Sequence, residues 1–328
     1  MTRIHGGTDA LGAAHFDFSS NSNACGPCPA ALALTLQADA SVYPDANYTV
    51  LRAKLAAFHG VDAWRVILAS SASEFIFRIT AMVAKQTLLQ GKVSVPTHGY
   101  GDYTHAAQAW GLGITAHPDK AQLVWACEPS SPMGGAHAPW PVAHPKVVLD
   151  SAYEPLRLSG KSSLSAAQRD SIWQLWTPNK ALGQTGVRAA YAIAPKNSIT
   201  GAKTDALELE QLGASWPVGA HGVALLTAWT EPEVQAWVST SLQTLKVWKA
   251  RQIDLLQSLG WTCLPSESNF FCAYPQNQMD LTAILLRLRE QGIKLRDTTS
   301  FGMPNHARIS VQTPLAQDAL ATALKDMQ

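Results

Sequence analysis

The stretch that decides the fold is Thr177-Pro178-Asn179-Lys180-Ala181-Leu182-Gly183, which lies between an apolar run at residues 172–176 and another that Arg188 opens. Lysine is costly to bury and is usually solvated. A lysine between a buried strand and a glycine-containing loop is a candidate for covalent chemistry, because burial and cationic neighbours lower the pKa of an amine and free its lone pair. The stretch predicts that Lys180 forms an imine with an aldehyde cofactor.

Outward from this stretch, short apolar runs alternate with helical patterns. The predicted strands are residues 65–69, 92–95, 123–126, 146–149, 172–176 and 188–194, and the predicted helices are residues 48–59, 73–84 and 103–110. This alternation predicts an α/β fold with a mostly parallel sheet covered on both faces. Such sheets bind ligands at the carboxyl ends of their strands, so we expect the site just after these runs.

The pattern changes near residue 230. Thr230 is predicted to cap a helix that runs to about residue 259, with Glu233 completing a capping box. Strands at 269–274, 293–296 and 307–311 and helices at 281–291 and from Pro314 follow. We predict a large domain at residues 31–235 and a smaller α+β domain at residues 236–328, which the N-terminal arm, residues 1–30, joins.

Composition and charge favour a small-molecule site. Hydrophobic residues make up 47% of the 328 residues and the formal net charge is +1, so the chain can bury a large core but has no long-range field for nucleic acid or a membrane surface. We see no signal peptide and no apolar stretch long enough to span a bilayer, which predicts a cytoplasmic protein. Five cysteines, an odd number, argue against a disulfide framework.

The tetrapeptide Cys25-Gly26-Pro27-Cys28 has two interpretations. As a redox dithiol, its first thiolate would be stabilised at a helix N-terminus. As a turn, Gly26 and Pro27 would interrupt the chain before a helix that begins near Pro29. The approach to the motif is polar rather than strand-like, with Ser19-Ser20-Asn21-Ser22-Asn23, and this favours the turn.

Polar groups stand where two other strands end. Ser70-Ser71-Ala72-Ser73-Glu74 begins a helix, and the N–H groups and small residues there, Ala72 and Ser73 included, suit a phosphate, which Thr177 and Arg188 would also bind. Asp150 follows the run at 146–149. Its carboxylate would pair with a protonated ring nitrogen, an interaction of ~4 kcal/mol at 4 Å and an effective dielectric constant of 20. The ring would then stay charged and accept electrons.

The combination of Thr177-x-x-Lys180, Arg188 and the upstream Asp150-x-x-Tyr153 resembles the signature of fold-type I pyridoxal-phosphate enzymes, the class I/II aminotransferase family. The resemblance implies an aspartate-aminotransferase-like α/β fold, with a large domain built on a mostly parallel seven-stranded sheet and a smaller α+β domain. It also implies pyridoxal 5'-phosphate as cofactor, with Tyr153 hydrogen-bonded to its ring hydroxyl.

Two kinds of enzyme in this family are similar to the chain, histidinol-phosphate aminotransferase and the threonine-phosphate decarboxylase of cobalamin biosynthesis. Arg296-Asp297 and Arg308-Ile309-Ser310 resemble segments of both, which implies that Arg296 and Arg308 bind the substrate, with Arg308 on its carboxylate. The segments His5-Gly6-Gly7, 17–23 and 43–48 resemble the decarboxylase. This implies that His5, Gly6 and Asn23 lie near the substrate and that Tyr43 reaches the cofactor phosphate of a neighbouring subunit, in a homodimer with shared sites.

The sequence departs from the family at Glu128-Pro129-Ser130-Ser131-Pro132-Met133-Gly134, where Asn-Pro-x-Asn-Pro-x-Gly is usual. Ser131 stands where the asparagine bonds the cofactor ring oxygen. Tyr103 is the expected stacking aromatic, with His98 and Tyr100 as alternatives.

The function that the resemblance implies is decarboxylation of L-threonine O-3-phosphate to aminopropanol phosphate. Two alternatives stay open: an aminotransferase acting on histidinol phosphate or a similar amino acid, and a degenerate family member that binds without catalysis.

Overall fold

The computed structural model describes residues 5–137, 146–196, 201–276 and 280–327. Its strands, in chain order, are β1 (Phe16–Asp17), β2 (Val66–Ala69), β3 (Lys92–Ser94), β4 (Gly113–Thr115), β5 (Leu123–Cys127), β6 (Val147–Asp150), β7 (Trp173–Trp176), β8 (Ala190–Ile193), β9 (Trp261–Cys263), β10 (Phe270–Pro275), β11 (Ile293–Lys294), β12 (Arg296–Asp297) and β13 (Ala307–Ser310). Its α-helices are α1 (Pro29–Leu36), α2 (Thr49–His59), α3 (Ala72–Gln86), α4 (Gly101–Ala109), α5 (Ala166–Asp170), α6 (Ala202–Leu212), α7 (Ala220–Trp229), α8 (Pro232–Ser258), α9 (Leu281–Glu290) and α10 (Pro314–Lys325).

Seven strands form the large sheet, in the order β2-β8-β7-β6-β5-β3-β4. Strand β8 pairs antiparallel with both of its neighbours, and the pairs from β7 to β4 are parallel. The predicted α/β fold with a mostly parallel sheet is therefore confirmed.

Helices cover both faces of this sheet because apolar residues occupy both sides of its strands. In β2, Ile67 packs into a buried cluster with residues of α3, α4 and α6, whereas Leu68 packs into another with residues of α1, α2 and α7. Successive side chains of a strand point to opposite faces, so one short apolar run supplies two cores.

A second, antiparallel sheet has the order β12-β13-β10-β9 and packs against α8, α9 and α10. The N-terminal arm reaches this part of the chain, since β1 pairs in parallel with β11 and Phe18 is fully buried in the same cluster. The arm thus joins the smaller unit to the lysine loop described below.

Two predictions about local structure are wrong. The capping box is absent: Thr230 ends α7, with its hydroxyl donating to the carbonyl of Thr227, and α8 starts at Pro232 with Glu231 before it. The fixed φ of proline suits the first helical position, which moves the start beyond Thr230. The strand predicted at 293–296 is two strands, β11 and β12, in different sheets. Within the described ranges, no helix is both long and apolar enough to cross a membrane.

Candidate active site

Lys180 lies in the loop that follows β7, and the N-terminal arm fixes this loop. The backbone N–H of Asn23 donates to the carbonyl of Lys180 at 2.9 Å. Gly183 has a φ of +69°, and a Cβ there would lie 2.5 Å from the carbonyl oxygen of Gly26. Only glycine fits where loop and arm meet. Local turn geometry and the arm together hold the backbone that carries Lys180.

Asp150 ends β6, in register with Cys127 of β5, and its carboxylate is buried. Its Oδ1 accepts from the N–H of Ala152 at 2.9 Å, and its Oδ2 accepts from the phenol of Tyr103 at 2.7 Å. Burial raises the pKa of Asp150, and these two bonds and the charge of Lys180 oppose the rise. A buried carboxylate in this setting suits a cationic partner.

Tyr153 connects these two groups. The Nζ of Lys180 lies 5.3 Å from the centroid of the Tyr153 ring, which packs edge-to-face on Phe270 at 4.7 Å. Tyr153 follows Asp150 by three residues and is nearly buried. The carboxyl ends of β6 and β7 thus bring the lysine, the carboxylate and the tyrosine into one place.

The start of α3 lies beside a second aromatic residue. Ser71 caps the helix by accepting from the N–H of Glu74 at 3.1 Å, so its hydroxyl oxygen is already bonded. Ala72 and Ser73 are partly exposed, and the hydroxyl of Ser73 lies 3.0 Å from that of Tyr100. At the start of α3, the groups that could bind an anion are the backbone N–H groups and the hydroxyl of Ser73.

The hydroxyl of Thr177 shows whether a phosphate would fit the site. Its hydroxyl oxygen is buried and has no hydrogen-bond partner within the described part of the chain. A buried hydroxyl is costly without a partner, and a phosphate oxygen would supply one. The residues present therefore fit the cofactor that the sequence implies. Arg188 is exposed and precedes β8 by two residues, so it does not open that strand.

Arg308 is buried in β13, and the described ranges hold no counter-charge that pairs with it. Its Nη1 donates to the hydroxyl of Ser131 and its Nη2 to the carbonyl of Ser19, each at 3.0 Å. Its Nε has no partner, and no carboxylate of the described residues forms an ion pair with it. Ser131 therefore contacts Arg308, the residue that we expect to bind the substrate carboxylate. A bond between Ser131 and the cofactor stays a prediction.

Arg296 is the cross-strand neighbour of Arg308 and is also buried. It donates to the hydroxyl of Ser300 at 2.7 Å, and the ring of Phe301 lies 5.0 Å from its guanidinium carbon and 5.5 Å from that of Arg308. Burial, and then the charge of Arg308, lower the pKa of Arg296 to about 10. Two adjacent buried guanidinium groups have the chemistry that suits an anionic ligand.

The start of the arm approaches the aromatic side of the site. The ring centroid of His5 lies 6.0 Å from that of Tyr100. Gly6 packs so closely that a Cβ would lie 2.1 Å from the carbonyl oxygen of Ser19, the same oxygen that Arg308 contacts. The structure thus brings His5 and Gly6 near the arginine pair and Tyr100.

Asn23 has a different role from the predicted substrate contact. Its amide donates to the carbonyl of Ala181 at 3.0 Å and to the hydroxyl of Ser241 at 2.8 Å, and its Oδ1 accepts from the N–H of Cys25. Those bonds use its polar atoms to hold the lysine loop.

Asn21 is the residue that sequence reasoning missed. Its amide is buried, and neither Nδ2 nor Oδ1 has a partner within the described ranges. It stands in the arm between Ser19, which contacts Arg308, and Asn23, which contacts Lys180. The unbroken polar run Ser19-Ser20-Asn21-Ser22-Asn23 was the available signal.

Tyr103 does not have the geometry of a stacking aromatic. It is 1% exposed, and its ring stacks on Trp125 at 4.5 Å and 10°. No face of the ring is open to a cofactor in this arrangement. Tyr100, which touches Ser73 and His5, is the better placed alternative. His98 contacts the segment after β12, where its Nδ1 is 2.7 Å from the carbonyl oxygen of Phe301.

Two other sequence features lie away from this centre. Tyr43 is 77% exposed and stacks on Trp216 at 4.5 Å. A contact with a neighbouring subunit stays a prediction. Cys28 is buried and precedes α1, which begins at Pro29 as the turn interpretation predicts. Burial raises the pKa of the Cys25 thiol, the opposite of what a reactive thiolate needs.

Comparison with known proteins gives a consistent result. The family model described as aminotransferase class I and II matches residues 14–325. Histidinol-phosphate aminotransferase from Jannaschia sp. is 28% identical over 344 residues, which cover 95% of this chain and 90% of that relative. A histidinol-phosphate aminotransferase from Thiobacillus denitrificans is 27% identical over 341 residues, covering 92% and 83%.

Solved structures share the fold. A putative histidinol-phosphate aminotransferase from Erwinia carotovora atroseptica has a TM-score of 0.78 at 22% identity, covering 99% of this chain and 98% of that one. Histidinol-phosphate aminotransferase from Sinorhizobium meliloti, in complex with pyridoxal-5'-phosphate, has 0.75 at 20%, covering 94% and 90%. L-threonine-O-3-phosphate decarboxylase from Porphyromonas gingivalis has 0.75 at 17%, covering 94% and 98%. These matches confirm the predicted fold class.

Proposed function

The chain belongs to the class I and II aminotransferase family, and from this premise we propose that it decarboxylates L-threonine O-3-phosphate to aminopropanol phosphate, a reaction of cobalamin biosynthesis. The cofactor is pyridoxal 5'-phosphate, which follows from the family and agrees with the solved neighbour that carries it. The substrate and the type of reaction are the parts that we propose.

The cofactor would be held by the residues that surround Lys180. Lys180 would bind it covalently, Asp150 would hold a proton on its ring nitrogen, and Tyr153 would donate to its ring hydroxyl. Its phosphate would be bound by Ala72, Ser73, Thr177 and Arg188. When bound, the cofactor supplies a cationic ring that takes up the electron pair left at the substrate Cα.

The observation that carries the substrate proposal is the pair of buried guanidinium groups. Arg296 and Arg308 are cross-strand neighbours, so one ligand can reach both. Threonine phosphate carries a carboxylate on Cα and a phosphate ester on the adjacent Cβ, and two arginines would neutralise both groups. Histidinol phosphate has a phosphate but no carboxylate. The arginine pair therefore supports a phosphorylated amino acid.

The reaction requires few groups of the protein. The bond between Cα and the carboxylate carbon breaks, and carbon dioxide leaves. A proton then replaces it at Cα, delivered by the Nζ of Lys180 or by a water. His5 and Gly6 would hold the substrate phosphate from the arm side, with Arg296 opposite.

An aminotransferase is the second candidate, because the relatives with the stated identities are named histidinol-phosphate aminotransferases. The two reactions use the same groups and differ in which bond at Cα stands perpendicular to the cofactor ring. A degenerate, non-catalytic binding protein is the third. Lys180, Asp150 and Tyr153 meeting in one place supports catalysis instead.

Product analysis distinguishes the three. The loaded protein is incubated with L-threonine phosphate, with and without 2-oxoglutarate. Carbon dioxide and aminopropanol phosphate without any keto acid would establish the decarboxylase. Glutamate formed only with 2-oxoglutarate would establish an aminotransferase. A protein that stays colourless with added pyridoxal phosphate would contradict both. We further expect a homodimer with shared sites that works in the cytoplasm.

A further inference from the structure

Tyr103 has no part in the reaction described above, yet it contacts the carboxylate at its centre. Its phenol donates to Oδ2 of Asp150 at 2.7 Å, while the N–H of Ala152 donates to Oδ1. Each carboxylate oxygen thus has one donor among the residues that the structure describes. The backbone donor is built into the turn after β6, whereas the phenol comes from a separate element, α4.

The ring of Tyr103 is locked in place. It stacks on Trp125 at 4.5 Å and 10° and is 1% exposed. Its backbone N–H donates to the carbonyl of Tyr100 at 3.1 Å, at the first turn of α4. A phenol that cannot turn away offers Asp150 a donor of fixed direction, which costs no reorganisation when the charge next to it changes.

We propose that Tyr103 is a positioning residue that keeps Asp150 ionised and correctly oriented, so that the proton shared with the cofactor ring stays on the ring nitrogen. This rests on the proposed role of Asp150. A donor bonded to a carboxylate stabilises its charged form and lowers its proton affinity. Without that donor, the carboxylate becomes more basic and draws the shared proton from the nitrogen, and the ring loses its capacity to accept electrons.

The surroundings of Asp150 make this donor important. Burial raises the pKa of the carboxyl group, and the bond from Tyr103 is the largest effect that opposes the rise, ahead of the N–H of Ala152 and the charge of Lys180. Cys127 faces the same carboxylate, and the pKa values of Cys127 and Tyr103 lie well above their ordinary ranges. Neither of these two groups therefore ionises near neutral pH, so a pH-dependent effect of the phenol would report on the carboxyl group of Asp150.

Tyr103→Phe tests the proposal in the full chain free of cofactor. The phenol stabilises the ionised carboxylate. Loss of the phenol should therefore lower the free energy of unfolding most at high pH, and least where Asp150 is protonated. We expect the unfolding equilibrium constant of the variant, relative to wild type, to grow by about tenfold or more from pH 5 to pH 8. A ratio that stays constant with pH would overturn the proposal.

The matched control is Tyr48→Phe, because that buried phenol donates to a backbone carbonyl, of Val218, at 2.8 Å. Its ratio to wild type should not change with pH. If Tyr103→Phe does not fold, Asp150→Asn is added, since an uncharged amide removes the need for the donor. Recovery of folding in the double variant supports the proposal, and equal failure at pH 5 and pH 8 contradicts it.

The loaded enzyme gives an independent readout through pyridoxal phosphate labelled with ¹⁵N in the ring. The nitrogen chemical shift should report a protonated ring in wild type and in Tyr48→Phe, and a shift towards the unprotonated value in Tyr103→Phe. An unchanged shift in Tyr103→Phe would overturn the proposal. If the chain binds no pyridoxal phosphate, the proposed function fails, and the unfolding data still decide whether Tyr103 controls Asp150.

Discussion

Arg308 donates through Nη1 to the hydroxyl of Ser131, 3.0 Å away, and so joins β13 of the antiparallel sheet to the loop that follows β5. Ser131 stands where the resembling family has an asparagine that bonds the cofactor ring oxygen. The hydroxyl accepts from the arginine, which leaves its single proton for another acceptor. Ser131 thus links the loop after β5 to Arg308 through a short side chain.

Arg308→Lys should weaken binding of an anionic substrate. A lysine has one point charge and lacks the planar fork that reaches Ser131, Ser19 and a carboxylate together. Losing charged hydrogen bonds of about 1.5–3 kcal/mol corresponds to a fall in kcat/KM of roughly 10- to 100-fold. Steady-state kinetics with L-threonine phosphate would measure it, with Arg251→Lys on the surface as control. Equal kinetics for both variants would exclude Arg308 from the substrate site.

The main parts of this site could be predicted because they depend on chain order. Lys180 and Asp150 follow neighbouring parallel strands, and the carboxyl ends of such strands meet at one edge. The role of Tyr103 could not be predicted, because the ring faces Asp150 only through its packing on Trp125, which is distant in sequence. Likewise, the sequence does not show that the amide of Asn23 binds the lysine loop while that of Asn21 has no partner in the described ranges, because both outcomes depend on tertiary contacts.

Helix starts show the same limit. Thr230 and Glu233 have the spacing of a capping box, but Pro232 fits the first helical position better and moves the start of α8. Two local preferences compete there, and spacing alone does not rank them. Arg188 was expected to open a strand, and it precedes β8 because the turn after Gly183 is longer than the apolar pattern indicates.

Lys180→Ala should abolish the imine absorbance band of the loaded protein and its turnover while leaving the fold intact. The amine is partly exposed and contacts the Tyr153 ring at 5.3 Å rather than an ion-pair partner, so its removal breaks no buried bond. Absorbance and circular dichroism would be recorded together, with Lys161→Ala, an exposed lysine, as control. Turnover by Lys180→Ala at the wild-type rate would show that the site is assigned wrongly.

Arg157→Met should destabilise the protein strongly. Arg157 is buried among Glu128, Glu154 and Glu267, and the carboxylate of Glu128 is almost completely buried. Removing the arginine leaves that charge uncompensated, which costs about 3–5 kcal/mol in the free energy of unfolding. Urea denaturation at pH 7 would measure the loss.

The control for this variant is Lys54→Met, because the side chains of Lys54 and its partner Glu231 are both exposed. Exposed pairs contribute about 0–1 kcal/mol, so this change should be small. Adding Glu128→Gln to Arg157→Met should recover part of the stability, because it removes the uncompensated charge. A double variant no more stable than Arg157→Met would show that the loss comes from packing.

Lys249 should make stability rise with pH. Burial lowers its pKa to about 8, while its Nζ donates to the carbonyls of Ser266 and Ser268, and the charge of Glu267 opposes the shift. Between pH 8 and the ordinary pKa of 10.5 the unfolded chain binds the extra proton, so the free energy of unfolding increases with pH. The shift corresponds to about 3 kcal/mol.

Lys249→Met should lack this rise, and Lys246→Met, an exposed lysine on the same helix, should keep it. Unfolding free energies of the three proteins at pH 7.5, 9 and 10 would be compared as differences, since other groups titrate in this range in all of them. Parallel curves for wild type and Lys249→Met would mean that the buried amine stays charged.

Tyr43 offers a test of shared active sites. If it reaches the cofactor phosphate of a neighbouring subunit, Tyr43→Ala and Lys180→Ala would each inactivate the homodimer, because each removes a group from both sites. A mixed dimer has one site with both groups intact and another with neither. We therefore expect two inactive preparations to regain activity when they are unfolded together and refolded, up to about a quarter of the wild-type value for random pairing.

The exposed Tyr43 ring, stacked on Trp216, is available for such a contact. As a control, Lys161→Ala mixed with Lys180→Ala gives the activity expected from dilution alone. If the mixture of Tyr43→Ala and Lys180→Ala is never more active than the sum of its two components, Tyr43 belongs to the surface of a single subunit.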